Sequence, residues 1–199
     1  MELLMRGVLI CVALAACTPE VVSGSYLCGP EASCPEDLVC DGVEDTCVLA
    51  SMAEPFACDP DTNLEPDDTS DQGFLIDPFG CVSSFMNAEC MLAGDSADWL
   101  TFVAPEQCST ATAIQARLSF SVAWEELGLE LWDLDANMQL ATDEECEQGA
   151  DARQVRRCLD HTLVPGTKYG IKVHPTGEGT CNGDCAYNRY ALSLQLGAP

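Results

Sequence analysis

Residues 65–105 read EPDDTSDQGFLIDPFGCVSSFMNAECMLAGDSADWLTFVAP. Two acidic clusters stand in this stretch, EPDDT at 65–69 and DSAD at 95–98, and the second runs directly into the apolar segment WLTFV at 99–103. A short, near-continuous run of aromatic, β-branched and aliphatic residues behind a turn-forming cluster predicts a buried strand, with Trp99 counted in its core.

Downstream the same logic repeats. Ile114, Ala116, Leu118, Phe120 and Val122 alternate with Gln115, Arg117, Ser119 and Ser121, a period of two that buries one face and wets the other. Leu127, Leu129 and Leu131 continue the pattern, followed by a turn at 135–137 and a short strand at 138–141. After an acidic loop at 143–151 come a segment at 155–163, a VPGT turn at 164–167, and strands carrying Tyr169, Ile171 and Val173, then Tyr190, Leu192, Leu194 and Leu196. Seven or eight strands at this spacing predict an all-β sandwich. Only VAWEEL at 122–127 offers a helical turn.

Upstream, residues 7–16 (GVLICVALAA) form an apolar run of signal-peptide length, too short to span a bilayer. It ends in LAAC at 14–17, which resembles the bacterial lipoprotein signal: small residues before a cysteine, Cys17, that is diacylated and becomes the new amino terminus. Two or more acyl chains give stable membrane attachment. By resemblance to the sorting rules of Gram-negative lipoproteins, Thr18 after that cysteine favours the outer membrane, periplasmic or surface-facing. The expected organisation is a signal at 1–17, a tether at 18–25, a cysteine-rich module at 26–48, a linker at 49–57 and the sandwich at 58–199.

Charge narrows the partners. The 199 residues carry 33 acidic and 8 basic side chains, a net charge of −25, and residues 7–116 contain no Lys or Arg. Nucleic acid is excluded as a partner, because phosphate binding depends on Lys and Arg; cations and basic partners are favoured.

The export route settles the state of the cysteines. Setting aside Cys11 in the leader and Cys17 leaves twelve of the 14, an even number in an oxidising compartment, so disulfides are expected. There is no C-x-x-C pair to suggest zinc. Cys28, Cys34, Cys40 and Cys47 staple a module of about twenty residues that is too small to bury a core; its reading is a stapled spacer rather than a binding knob, and its connectivity is open. In the sandwich, bracketing of loops pairs Cys81 with Cys90, Cys146 with Cys158 and Cys181 with Cys185, leaving Cys58 for Cys108.

The order of signals then becomes informative. EPDDT at 65–69, GDSADWLTFVAP at 94–105, LELWD at 129–133, PGTKYGIKV at 165–173 and YALSL at 190–194 together resemble the bacterial pre-peptidase C-terminal domain, a jelly-roll-like β-sandwich attached to many secreted proteases and collagenases, so the resemblance implies a jelly-roll-like sandwich here. The family usually has Asn where this chain has Asp67, and it lacks the extra cysteines. In its calcium-binding members, positions in the first two segments form one site. The resemblance therefore implies a calcium site at Glu65, Asp67, Asp68, Asp95 and Asp98, a ligand set that suits a hard cation wanting carboxylate and carbonyl oxygens. A second acidic loop, DEECE at 143–147, is a weaker candidate.

No catalytic set emerges. Ser84 and Ser119 lie outside nucleophile motifs, and His161 and His174 are isolated. Arg153, Arg156 and Arg157 form the one basic cluster, read as loop salt bridges, while Trp124 and Trp132 are open between core and exposed face. The expectation is a non-enzymatic cell-surface lipoprotein that binds extracellular protein or polysaccharide. The alternative is an accessory or targeting subunit of a separate secreted hydrolase.

Overall fold

A computed structural model describes residues 21–58, 65–91, 95–108, 112–146, 154–177 and 188–197. The leader, Cys17, Cys181, Cys185 and Arg153 lie outside the described residues. Among the described residues no helix is long and apolar enough to cross a membrane.

Three short strands, β1 (Tyr26–Leu27), β2 (Leu38–Cys40) and β3 (Thr46–Leu49), form a small sheet in the order β1-β3-β2. The ten others are β4 (Phe74–Leu75), β5 (Ser83–Met91), β6 (Asp98–Val103), β7 (Thr112–Ser121), β8 (Leu127–Asp133), β9 (Met138–Thr142), β10 (Glu144–Glu145), β11 (Gln154–Leu163), β12 (Lys168–Pro175) and β13 (Asn188–Leu196). They build two five-stranded sheets, β10-β11-β7-β13-β5 and β4-β6-β12-β8-β9, in which only the β4–β6 pairing is parallel. The chain is an all-β sandwich with a small disulfide-stapled sheet before it.

The alternation sets the layers. Ile114, Ala116, Leu118 and Phe120 of β7 meet Leu192, Leu194 and Leu196 of β13 on one inner face, and Leu100, Phe102, Leu129, Leu131, Ile171 and Val173 supply the other. Each fully buried Leu or Ile contributes roughly 1.5–3 kcal/mol relative to exposure, so a core of this extent makes the sandwich self-sufficient.

Several expectations are corrected. Residues 82–89 are not a disulfide-bracketed loop but most of β5, paired along its length with β13. The bridges run to other segments, Cys58 to Cys90 and Cys81 to Cys108, in place of the expected Cys81–Cys90 and Cys58–Cys108; Cys81 and Cys90 stand at opposite ends of an extended strand that rises about 3.3 Å per residue, far beyond the reach of a disulfide. Cys146 is joined to Cys158 across β10 and β11. Residues 122–124 form a plain turn. Trp99 is not in the core: with Leu100 and Phe102 facing in, parity turns Trp99 outward, where its ring lies 5.9 Å from that of Trp132 and 6.0 Å from Lys172 Nζ.

The small sheet is cross-linked by Cys28–Cys40 and Cys34–Cys47. Its turn is held by Asp41, which is buried; Oδ1 accepts a hydrogen bond from Glu54 N at 2.8 Å, and Oδ2 accepts from Glu44 N at 2.8 Å and Val43 N at 3.3 Å. The bond from Glu54 leads in holding this carboxyl below the usual aspartate range. The expected linker at 49–57 thus folds back onto the module. Gly42 N donates to Glu54 O at 2.8 Å, and a side chain at Gly42 would run into the backbone of Phe56. Asp41→Ala leaves three donors without their acceptor and is expected to destabilise the module by about 1–3 kcal/mol. Hydrogen exchange at residues 43, 44 and 54 should rise while the sandwich melts unchanged. Because the folded pKa is lowered, this contribution is present above the unfolded carboxylate range and is lost as the pH falls from there through the lower folded value.

Candidate functional site

The first inward residue of β6 is Asp98, ahead of Leu100 and Phe102, so the strand's buried column begins with a carboxylate at one end of the sandwich. The segment before β4 is pinned beside it: Trp99 N donates to Asp67 O at 3.0 Å, and Gln72 N and Gly73 N both donate to Thr69 O at 2.9 Å. Gly73 is needed here, because a Cβ would come within 2.7 Å of Trp99 O. This folding-back carries Asp67 into the interior. Asp67 and Asp98 are each 3% exposed, and with Glu65 they bring carboxylate oxygens within 4.8 Å of one another.

The remaining two expected residues close the rim. Asp68 Oδ1 accepts from Ser96 N at 3.4 Å, tying the first acidic segment to the second. Asp95 stands close enough to the Glu65 carboxyl to help raise it, after the effect of burial. The structure therefore gathers all five expected residues, with Glu65, Asp67 and Asp98 at the centre and Asp68 and Asp95 around them.

Two further residues were missed by sequence reasoning. Glu89 and Tyr190 are direct partners in the β5–β13 ladder, and both face inward. The Tyr190 hydroxyl lies 2.9 Å from Glu89 Oε2 and 2.7 Å from Asp98 Oδ2, linking the two sheets. Asn87 Nδ2 donates to the other oxygen of Glu89. Glu89 is thus occupied on both oxygens and orients Tyr190, which in turn orients Asp98. The available signal was parity: counting back by twos from buried Met91 places Glu89 and Asn87 on the inner face.

Electrostatically the cluster is out of balance. Burial, then the neighbouring Glu89, Glu65, Asp68 and Asp95 charges, push Asp67 up to about 7. Burial also drives Asp98 up to about 8, against the lowering effect of the Tyr190 bond and with further push from Asp67, Glu89 and Asp95. Burial raises Glu89 and Glu65 in the same sense. Among the described residues no Lys, Arg or His forms an ion pair with Glu65, Asp67, Glu89 or Asp98. Asp67 Oδ2 is buried with no hydrogen-bond partner. A buried, unpartnered carboxylate oxygen aimed among other carboxylates is costly unless a proton or a cation compensates it.

The other sequence candidates are dispersed. In the second acidic loop, Asp143 Oδ1 accepts from Leu129 N at 2.7 Å while Oδ2 lies 3.5 Å from Arg157 Nε, and Glu144 and Glu145 are exposed on β10, so no cation pocket forms among its described residues. The basic cluster is split by strand parity: Arg157 pairs with Glu126 and Asp143, and Arg156 faces the opposite side of the sheet. His161 lies on β11 of one sheet, and His174 on β12 of the other, 3.5 Å from Glu130. Trp124 is at the module junction, its Nε1 donating to Asp45 Oδ1 at 2.6 Å.

No protein-family model matches this chain, and no curated protein matches it. Among solved structures the chain is similar to the periplasmic g-type lysozyme inhibitor PliG of Aeromonas hydrophila, at 10% identity and a TM-score of 0.44 over 62% of this chain and 95% of that one. It is similar to PliG of Salmonella Typhimurium at 14% identity and a TM-score of 0.41, covering 62% and 96%. The pre-peptidase C-terminal domain of a Bacillus anthracis collagenase is similar at 16% identity and a TM-score of 0.38, covering 61% and 93%. These likenesses concern architecture, and no activity is carried from them to this chain.

Proposed function

We propose that this chain is a non-catalytic, lipid-anchored module of the cell envelope that binds extracellular protein or polysaccharide, with a pre-peptidase-type sandwich rigidified by calcium. The observation that carries the calcium reading is Asp67 Oδ2, buried without a partner beside Glu65 and Asp98. The donor set is all oxygen, with no imidazole or thiolate, which suits a hard cation. Glu65, Asp67 and Asp98 would hold the ion, and Asp68 and Asp95 would add charge around it. Tyr190 and Glu89 would fix the Asp98 carboxylate from behind, as outer partners of metal ligands do. Calcium would supply positive charge where the fold has buried negative charge, joining the segment before β4 to the mouth of β6. Its role is structural, and no reaction step is assigned to it.

The test uses the mature chain stripped with chelator, titrated calorimetrically with calcium and melted with and without it. At a hundred times Kd, a single site adds about 2.7 kcal/mol, which for a protein of this size raises Tm by about 5–10 °C. Asp67→Asn combined with Asp98→Asn should abolish both the heat and the shift. Absence of binding heat together with an unchanged melt in the unaltered chain would remove the calcium reading.

A further inference from the structure

The outward face of the β10-β11-β7-β13-β5 sheet carries a feature independent of the acidic cluster. In the β11–β7 register Cys158 stands opposite Arg117 and Arg156 opposite Ser119. Arg117 and Arg156 are therefore diagonal neighbours on one face, at a backbone spacing of about 7–8 Å. Across the next strand Ser193 is opposite Arg117 and Ala191 opposite Ser119, and Met86 of β5 follows beside Ser193. Side-chain size makes the relief. Two long arginines stand on one flank, the 78% exposed Met86 on the other, and Ser119, Ala191 and Ser193 between them leave a cavity of about 550 Å³. That volume is in the range of small-molecule sites.

The two arginines of this cavity lack acidic partners. Among the described residues Arg157, Lys172 and Arg189 each have a carboxylate within 4.0 Å, whereas Arg117, Arg156 and, away from this cavity on β12, Lys168 have none. Yet acidic side chains outnumber basic ones 33 to 8. Register places Asp160 and Glu144 on the same face, opposite Gln115 and Cys158, and neither closes an ion pair with the arginines. Two guanidinium forks, each able to take a carboxylate through two parallel hydrogen bonds, thus stand open over a floor of serine hydroxyls.

We propose that this cavity binds a compact carboxylate-bearing ligand, with Arg117 and Arg156 taking the carboxylate and Ser119 and Ser193 meeting its hydroxyl or carbonyl groups. Compactness follows from charge. A polyanion approaching a molecule at −25 is repelled over its whole length, and Asp160 and Glu144 repel it again at the rim, while a single carboxylate meets the arginines within a Debye length. The carboxylate could belong to a free acid or to the terminal residue of a saccharide.

The experiment follows backbone and arginine side-chain NMR signals of the full mature chain during titration with glucuronate, an oligosaccharide ending in glucuronate, and glucose as the uncharged control, at millimolar concentration. The expected result is a saturable shift at Arg117, Arg156, Ser119 and Ser193 with glucuronate and none with glucose. The tighter of the two acids identifies the source of the carboxylate. Arg117→Ala and Arg156→Ala should each weaken binding at least about tenfold, and Arg117→Lys, which keeps the charge and loses the fork, should fall between. Each variant is checked for an unchanged spectrum elsewhere in the sandwich, and Arg117→Lys serves if an alanine variant fails to fold. Equal response to glucose, no shift with either acid, or stronger binding of polyglutamate than of glucuronate would each overturn the proposal.

Discussion

Stripped of metal, the protein is expected to lose stability as the pH rises from about 5 to about 8, and calcium is expected to reverse that slope. The sign follows from the direction of the shifts. Burial and mutual repulsion raise Asp67 to about 7 and Asp98 to about 8, while in the unfolded chain both return to the ordinary aspartate range. The folded state therefore binds more protons than the unfolded state across this window, and stability falls with pH wherever that holds. The contribution is complete below the unfolded range and disappears as the pH passes the raised folded values. Each such proton changes stability by about 1.4 kcal/mol per pH unit, an effect large enough to appear in melting curves taken in chelator at several pH values. With saturating calcium the carboxylates must be ionised to bind, so protons compete with the metal and stability rises with pH. Asp98→Asn removes one titrating group and can keep a hydrogen bond to Tyr190. Without metal, this variant should be more stable than the unaltered chain at pH 8 and should have lost most of the calcium response. A chelator-treated protein whose Tm is flat or increases over this window would show that the carboxylates are not buried as described.

The contrast between what was readable in the sequence and what was not has a physical origin in this same cluster. Strands whose inward positions are all apolar, such as β7 with Ile114, Ala116, Leu118 and Phe120, announce themselves by alternation. β5 does not, because its inward column runs Phe85, Asn87, Glu89, Met91, and two polar residues in the middle make a nine-residue strand resemble a loop. Those polar residues are inward because they serve Tyr190 and, through it, Asp98. The acidic cluster thus hid the strand that supports it, and a loop in place of that strand gives the wrong partners for Cys81 and Cys90. The five carboxylates at 65–68 and 95–98 were legible because they are local clusters. The burial of Asp67 was not, since nothing local states that Trp99 N will hold the Asp67 carbonyl. Trp99 shows the complementary error: in a short run of apolar residues, parity rather than hydrophobicity decides the face, and parity belongs to Leu100 and Phe102.

Replacing Arg189 with alanine is expected to loosen the seat of the cysteine-rich module on the sandwich without unfolding either. Arg189 stands on β13, one residue before Tyr190, so parity turns it outward at the point where the module arrives. Its guanidinium donates to Gly42 O, to Val43 O at 3.3 Å and to Ala57 O at 3.3 Å, and lies 3.8 Å from Asp45 Oδ1. It also stacks 4.4 Å from the centre of the Phe56 ring, which packs edge-on against Trp124 at 5.1 Å. One side chain thus satisfies three carbonyls on two segments, the turn after β2 and the stretch leading to Cys58. Charged hydrogen bonds contribute roughly 1.5–3 kcal/mol each when well shielded and less where solvent reaches them, and a half-exposed cation–π contact about 0.5–1 kcal/mol. With Arg189 about one-third exposed, a net loss of about 2–4 kcal/mol at the junction is expected for Arg189→Ala. The module keeps its fold, because Cys28–Cys40 and Cys34–Cys47 remain, and the sandwich keeps its core. The observable is therefore local: Trp124 emission shifts to the red as Phe56 and Asp45 leave it, and residues 49–57 become sensitive to protease while the melt of the sandwich stays in place. Arg189→Lys supplies the charge but not the planar fork and should recover only part of the protection. Loss of the whole cooperative melt in Arg189→Ala would contradict this division, since it would mean that the sandwich depends on the module, whereas its inner faces are closed by its own strands.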